Sequence, residues 1–571
     1  MLTRRDFLQV AAATAAITGL GGRLGRAAAR QAIGQSQLLQ FAPKGQLTIL
    51  HMADCHAQLR PLYYREPSLN LGVGESRGKL PHITGAELLH AFSIEERSPR
   101  AYMLSSDDYE ALAKTYGRVG GMDRLATLVK AIRAERGPER VLLLDGGDAL
   151  QGSYTALHTR GSDMVAVLEE LGVAATTGHW EFTLGAQRVS ELFGGFDRPG
   201  SAGLAFLAGN VRDTDFEDPV FPALHMFEKG GIGVAVIGQA FPYTPIANPR
   251  WMMPAWSFGI REAELRRTVA AARGQGADVV VLLSHNGFDV DRKLASRVEG
   301  IDVILSAHTH DAWPQPVRVG DTLLIASGSH GKFLSRLDLE VSEGRVRDFA
   351  YGLIPVLADA IPPDPEMHAL VVGIRAPHEA MLKTELAHTD GLLYRRGTFA
   401  GTFDDLICDA LIAQRDAEIA LSPGFRWGGS LIAGEAVTWD DVYNATAITY
   451  PAAYRTAMKG ETIKTILEDV ADNSFNPDPY LQQGGDMVRV GGMGYTINVD
   501  GAMGSRIANL HMLSSGAPIE PDKEYVVAGW GSVNEHTQGP PIWDVVAAHL
   551  KGRQHLSPRP RKSVKFVRAG G

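Results

Sequence analysis

Cysteine is nearly absent: only Cys55 and Cys408 occur in a chain of 571 residues. A disulfide framework is thereby excluded, and both thiols are expected to be free. No apolar stretch beyond the N-terminus is long enough to cross a bilayer as a helix, so no membrane-embedded domain is expected. A long basic run is also missing before the last dozen residues, and the formal net charge is −9. Nucleic acid is therefore not an expected partner. The basic tail from Lys551 to Arg568 carries Pro558 and Pro560 and reads as a frayed end. Neither an internal repeat nor a low-complexity tract interrupts the chain after its leader.

What is present begins with an address. Thr3-Arg4-Arg5-Asp6-Phe7 precedes a short Ala-rich run, Leu8 to Leu20, too short to span a membrane. Paired arginines, a short apolar core and small residues Ala27, Ala28 and Ala29 have the form of a twin-arginine signal peptide over residues 1–29. The mature protein is expected in the periplasm, free of the membrane once the signal is cleaved. Cleavage removes four arginines and one aspartate and leaves the chain more acidic by three charges.

The remaining sequence has two grammars. From about 45 to 360, short β-branched runs alternate with helical segments, among them Leu47 to Met52, Val141 to Leu144, Ala205 to Leu207, Val234 to Ile237, Val279 to Leu283 and Val303 to Leu305. Met122, Leu125, Leu128, Val129 and Ile132 recur at helical spacing. Such alternation predicts an α/β domain with sheets layered between helices. An insertion from Arg60 to Tyr116, rich in Pro, Ser, Tyr and charge, is expected to form loops and short helices over the site. Residues 361–387 read as a linker containing a helix from Pro365, and 388–560 as a second, smaller α+β domain.

Chemistry-bearing residues collect just after the apolar runs: Asp54-Cys55-His56, Asp145-Gly-Gly-Asp148, Gly178-His179-Trp180-Glu181, Ser284-His285 and Ala307-His308-Thr309-His310. The carboxyl ends of strands are where α/β sheets assemble their sites. Strand alternation turns residues i and i+2 the same way, so Asp54 and His56 could share one ion, as could His308 and His310; Cys55 should turn away into packing. A lone strand histidine is more often a core residue, and a lone Gly-Gly-Asp is a turn; five clusters in order are not explained that way. Carboxylate and imidazole without thiolate favour two ions of manganese, iron or zinc, able to activate water and clamp a tetrahedral phosphate or sulfate centre. Glu181, His330 and Asp145 are left open between supporting the site and serving the fold.

These clusters resemble the calcineurin-like metallophosphoesterases, and within them the 5′-nucleotidase family, from Leu47 to about Asn498. The resemblance implies a four-layer α/β/β/α sandwich followed by a C-terminal substrate domain carrying Leu406-Ile-Cys-Asp409, Arg426 and Gly494-Tyr-Thr-Ile-Asn498. It implies that Asp54, His56 and His310 hold one metal, that His285 and His308 hold the other, and that Asp148 bridges them. His179 takes the place of the family's Asn ligand. Trp180 stands where nucleotidases keep a histidine that assists the leaving group, and Thr183 where they keep its orienting Asp.

That departure resembles the SoxB thiosulfohydrolase branch, together with Asp54-Cys-His-Ala-Gln-Leu-Arg-Pro61, Tyr64-Arg-Glu-Pro67, Val119-Gly-Gly-Met-Asp-Arg-Leu-Ala-Thr-Leu-Val129 and Gly178-His-Trp-Glu-Phe182. That family typically has Thr at the position of Cys55. This resemblance implies two divalent ions, manganese first, and hydrolysis of a cysteine S-thiosulfonate on the SoxYZ carrier. His179, Trp180 and Arg426 would be the catalytic set, with Arg426 gripping sulfonate oxygens. Two other readings stand beside it: a periplasmic 5′-nucleotidase or cyclic-nucleotide phosphodiesterase that stacks a base on Phe425, Tyr454 or Tyr495, and a metal-binding partner module without turnover.

Overall fold

The computed structural model describes residues 34–568 apart from 196–197 and 200–203. The leader expected over residues 1–29 lies outside the described residues. Among the described residues no helix is long and apolar enough to cross a membrane.

Two six-stranded sheets lie face to face in the first domain. One runs Arg345–Pro355, Phe333–Ser342, Leu47–Met52, Val141–Asp145, Ala175–Thr176, Ala205–Phe206; the other runs Val317–Val319, Thr322–Ala326, Val303–Ser306, Val279–Ser284, Ile232–Gln239, Leu224–Lys229. The central strands pair in parallel, and antiparallel hairpins close the edges. Burial on both faces explains why these strands are apolar throughout rather than alternating. Leu47 and Ile49 point into the core between the sheets with Val279, Val281 and Leu283. Leu50 and Met52, one residue out of phase, meet the outer helix Met122–Arg136 through Leu125, Leu128, Val129 and Ile132. Helices Glu262–Gly274 and Phe288–Ala295 cover the other outer face. The architecture is therefore helix, sheet, sheet, helix, and no charge is needed in its centre.

The insertion forms short helices, Gly85–Ala91, Pro99–Leu104 and Tyr109–Tyr116, packed on the second sheet's side. Cys55 and Cys408 are buried and unpaired, and Cys55 packs into the apolar core with Met52 and the helix Met122–Arg136. The expected linker helix is shorter than its reading: it ends at Arg375, and Glu379–Leu382 makes a separate turn before the strand Glu385–Thr389. Pro377 marks the break: it has no N–H to continue the ladder, although Ala376 before it keeps helical backbone angles. Met367 and Val371 dock this helix onto the first domain.

The second domain packs Thr402–Arg415 against a four-stranded sheet, Tyr454–Lys459, Glu524–Gly529, Ile419–Ser422, Arg489–Gly491. It is fastened to the first by backbone and side-chain bonds: Ser430 N donates to Tyr63 O at 2.7 Å, and Arg426 donates to the His308 carbonyl at 3.2 Å.

Candidate metal centre

Each strand that was read as site-bearing ends one to four residues before its candidate ligand, and the candidate ligands do not sit on strands. Asp54, His56, Asp148, His308 and His310 all have left-handed backbones, with φ of 51°, 45°, 56°, 75° and 60°. Residues other than glycine adopt this conformation at an energetic cost and hold it where surroundings enforce it. Here the loops enforce it on one another: Asp54 N donates to Gly147 O at 2.9 Å, His56 N to Asp148 O at 2.8 Å, and His330 N to Asp54 O at 2.9 Å. Strand alternation is thus not what pairs Asp54 with His56. It also fails for the other pair, since His308 and His310 part company.

The ligand atoms fall into two groups that share one carboxylate. Asp54, His56, Asp148 and His310 form one; Asp148, His179, His285 and His308 form the other, and within each group all the atoms lie within 4.8 Å of one another. Asp148 Oδ2 is 3.1 Å from His285 Nε2, 3.2 Å from His179 Nδ1 and 3.9 Å from His56 Nε2. His56 Nε2 faces His310 Nε2 at 3.0 Å, and Asp54 Oδ1 lies 3.7 Å from the latter.

The donor set fits a pair of cations. Asp54 and Asp148 are buried, and among the described residues no lysine or arginine pairs with either; imidazoles and the backbone N–H groups of His308 and Trp180 face them. Uncompensated buried carboxylates are costly. His285 Nδ1 meets the Gly146 carbonyl at 2.6 Å and must donate there, so its Nε2 turns a lone pair toward Asp148 unless the ring is charged. Burial depresses that ring, yet Asp148 and Asp54 hold it up to about 10, which expresses the site's demand for positive charge. Burial keeps the other imidazoles neutral: His56 falls to about 4, and His308 and His310 fall well below the usual range. Neutral imidazoles are ligands rather than counter-charges. His308 Nε2 and His310 Nδ1 have no hydrogen-bond partner.

Supporting groups orient this set. The Glu181 carboxylate accepts from Ala149 N and His179 N, both at 2.8 Å, tying the Asp148 turn to the His179 turn. Asp145 holds Thr176 at 2.7 Å and Gly147 N at 3.2 Å beneath the turn, and burial pushes its carboxyl up to about 7. His330 stays outside both groups; its ring stands 5.6 Å from that of His56, and it accepts from Gly428 N at 3.3 Å. Asn248 was not singled out by the sequence, where Ala247-Asn248-Pro249 looks like an ordinary turn. Its Oδ1 lies 3.2 Å from His179 Nε2, and its Nδ2 is buried without a partner.

Trp180 donates its backbone N–H to Asp148 Oδ1 at 2.8 Å while its ring leaves the site. The indole is buried in the second domain's aromatic cluster, edge-on to Phe425 at 5.0 Å and Trp427 at 4.8 Å. Trp427 in turn stacks on His56 at 5.7 Å. Phe425 is stacked on Trp427 at 4.2 Å, Tyr454 leans over Gly529, and Tyr495 is a core residue. None of those three rings faces the cavity of about 80 Å³ that opens beside His308. Arg426 lines that cavity with Arg396, donating to the carbonyls of His308 and Gly485 and toward Asp486.

Residues 47–312 match the calcineurin-like phosphoesterase family, and residues 386–543 match the 5′-nucleotidase C-terminal domain. The bovine 5′-nucleotidase is 24% identical over 490 residues, which is 77% of this chain and 81% of that protein. The 5′-nucleotidase precursor of Thermus thermophilus shares the fold, with a TM-score of 0.71 at 19% identity over 91% of this chain and 99% of that one. Fold and site thus define a metal-dependent hydrolase of the metallophosphoesterase class. A second solved structure narrows the class: the sulfate thiohydrolase SoxB of Thermus thermophilus, in complex with glycerol, superposes with a TM-score of 0.88 at 37% identity, covering 92% of this chain and 98% of that chain. The chain belongs to the SoxB family within the 5′-nucleotidase branch.

Proposed function

We propose that this protein hydrolyses a cysteine S-thiosulfonate carried by the SoxYZ complex and releases sulfate during thiosulfate oxidation. Water adds to the sulfonate sulfur, the bond to the neighbouring sulfur breaks with its electron pair, and a persulfide stays on the carrier cysteine. The observation that carries this reading is Trp180. Beside His179, where a phosphoesterase needs a group to assist an alkoxide, stands an indole packed among Phe425 and Trp427. A persulfide is a far more acidic leaving group and departs without that help.

Asp54, His56 and His310 would hold one cation, His179, His285 and His308 the other, with Asp148 shared. Two divalent ions there, manganese first, would acidify a water and polarise the sulfonate oxygens. Arg426 and Arg396 keep guanidinium charge on the cavity wall, which favours an anionic group beside His308. Trp180 and Trp427 pack edge to face in a buried aromatic cluster, with Trp427 against the His56 ring. Export by the twin-arginine route and action in the periplasm belong to the same reading.

The deciding assay offers the manganese-loaded protein a carrier peptide bearing a cysteine S-thiosulfonate and, separately, AMP. Sulfate from the peptide with little phosphate from AMP is the expected result. Phosphate release alone overturns the proposal in favour of a nucleotidase.

A further inference from the structure

The stretch from Asn70 to His82 belongs to the insertion, yet it forms one wall of the cavity beside His308. Its attachment runs through His82. The Asn70 amide is oriented by its own bond from Nδ2 to the Pro81 carbonyl at 3.0 Å, so Oδ1, 2.8 Å from His82 Nδ1, can only accept. On the other side His82 Nε2 lies 2.7 Å from Asp289 Oδ2. Arg292 donates to Asp289 Oδ1 at 2.8 Å, which marks that group as a carboxylate and a second acceptor. Both ring nitrogens of His82 are thus engaged, Nδ1 by the Asn70 amide and Nε2 by the Asp289 carboxylate.

The same helix, Phe288–Ala295, grips the segment twice more: Arg292 donates to Ser76 Oγ at 2.8 Å and to the Leu80 carbonyl at 2.9 Å. That helix follows directly on His285 and Asn286, so the wall is referenced to the metal centre. Two further charges face this region. Asp311 stands on the loop after Val303–Ser306, its carboxyl pushed up to about 6 by burial against the pull of Arg396, Arg426 and His82. Arg568 reaches the Gly72 carbonyl at 3.1 Å. Gly72 itself leaves no slack, because a Cβ there would stand 2.6 Å from the His82 ring.

We propose that His82, held between Asn70 and Asp289, is the positioning residue that fastens the 70–82 segment as the wall against which the carrier-bound thiosulfonate is held. The identity of that substrate rests on the thiosulfohydrolase reading; the fastening does not. Without the ring, Asn70 and Asp289 lose the bridge between them and the wall loosens, while the ligand groups stay in place. The effect falls on substrate affinity rather than on the chemical step.

Two measurements on the metal-loaded full chain test this. The first is hydrogen exchange of residues 70–82 from pH about 6 to about 9, expressed as protection corrected for intrinsic rates. Across that range His82→Phe and the gentler Asp289→Asn should show roughly tenfold less protection than wild type. Variants that keep the wild-type protection overturn the fastening. The second is steady-state kinetics on the thiosulfonate peptide at pH about 6.5, where His82→Phe should raise KM roughly tenfold with kcat within about twofold. A fall in kcat at unchanged KM overturns the positioning role. If wild type does not hydrolyse the peptide, the functional reading fails while exchange still decides the role of His82.

Discussion

At the scale of single residues, Asp148 is the one side chain common to both ligand groups. Its Oδ1 accepts from the Trp180 amide and its Oδ2 faces three imidazoles, so the carboxylate is fixed in orientation before any cation arrives. Asp148→Asn keeps the shape but removes the charge and one acceptor. The expected outcome is loss of at least one equivalent of metal per chain and a fall in kcat of more than about a hundredfold, beyond the usual cost of losing a group that only orients a ligand. Metal analysis with the sulfate assay checks it; a variant that retains both equivalents and wild-type kcat would remove Asp148 from the bridging position. That these aspartates and histidines would converge was legible in the sequence, because five such clusters in order after apolar runs are not explained by packing or turns. Asn248 was not legible: its partner His179 is 3.2 Å away in space, but an asparagine before a proline carries no signal of it.

At the scale of elements, the strands were readable and the turns were not. Leu47–Met52 and Val279–Ser284 are apolar because both faces are covered, a pattern visible in composition. The left-handed turns after them are set by bonds between loops distant in sequence, such as Asp54 N to Gly147 O, and local periodicity holds no record of those. Hence strand alternation coupled His308 with His310, while the real turns send them to different groups. The turn Trp180–Leu184 shows the same logic from the other side. Its tryptophan is anchored in the neighbouring domain, so Trp180→Ala should open a cavity in the Phe425–Trp427 cluster and cost about 3–5 kcal/mol in urea unfolding. The fraction that remains folded should keep kcat on the thiosulfonate peptide within about tenfold, because the group at this position donates no proton. A stable variant that has lost turnover would contradict that assignment and give the indole a direct part in the reaction.

At the scale of the whole molecule, the centre lies where the two domains meet, and that couples metal loading to domain association. The first domain supplies the ligands; the second supplies Trp427 against His56, Arg426 on the His308 carbonyl and Ala447, whose carbonyl accepts from Gln151. The order of strands and helices made two domains readable, but nothing in the sequence marks which loops of one touch the other. Cations that bind the native state and not the unfolded chain stabilise it by roughly 3–4 kcal/mol at concentrations 100- to 1,000-fold above Kd. Removing them leaves the buried Asp54 and Asp148 with the His285 ring as their shared cationic partner, one positive charge for two carboxylates, which adds a penalty to the lost binding energy. Chelation should therefore lower the thermal midpoint by several degrees, and manganese should restore it. Because ligand loops and interdomain bonds share the residues 147–151 and 308–310, exchange protection should fall on both sides of the interface together, including around Trp427 and Ala447. Calorimetry with hydrogen exchange on stripped and reloaded protein is the measurement. A midpoint unmoved by chelation would mean that the buried carboxylates do not hold structural cations, and protection lost only in the first domain would uncouple the centre from the way the domains meet.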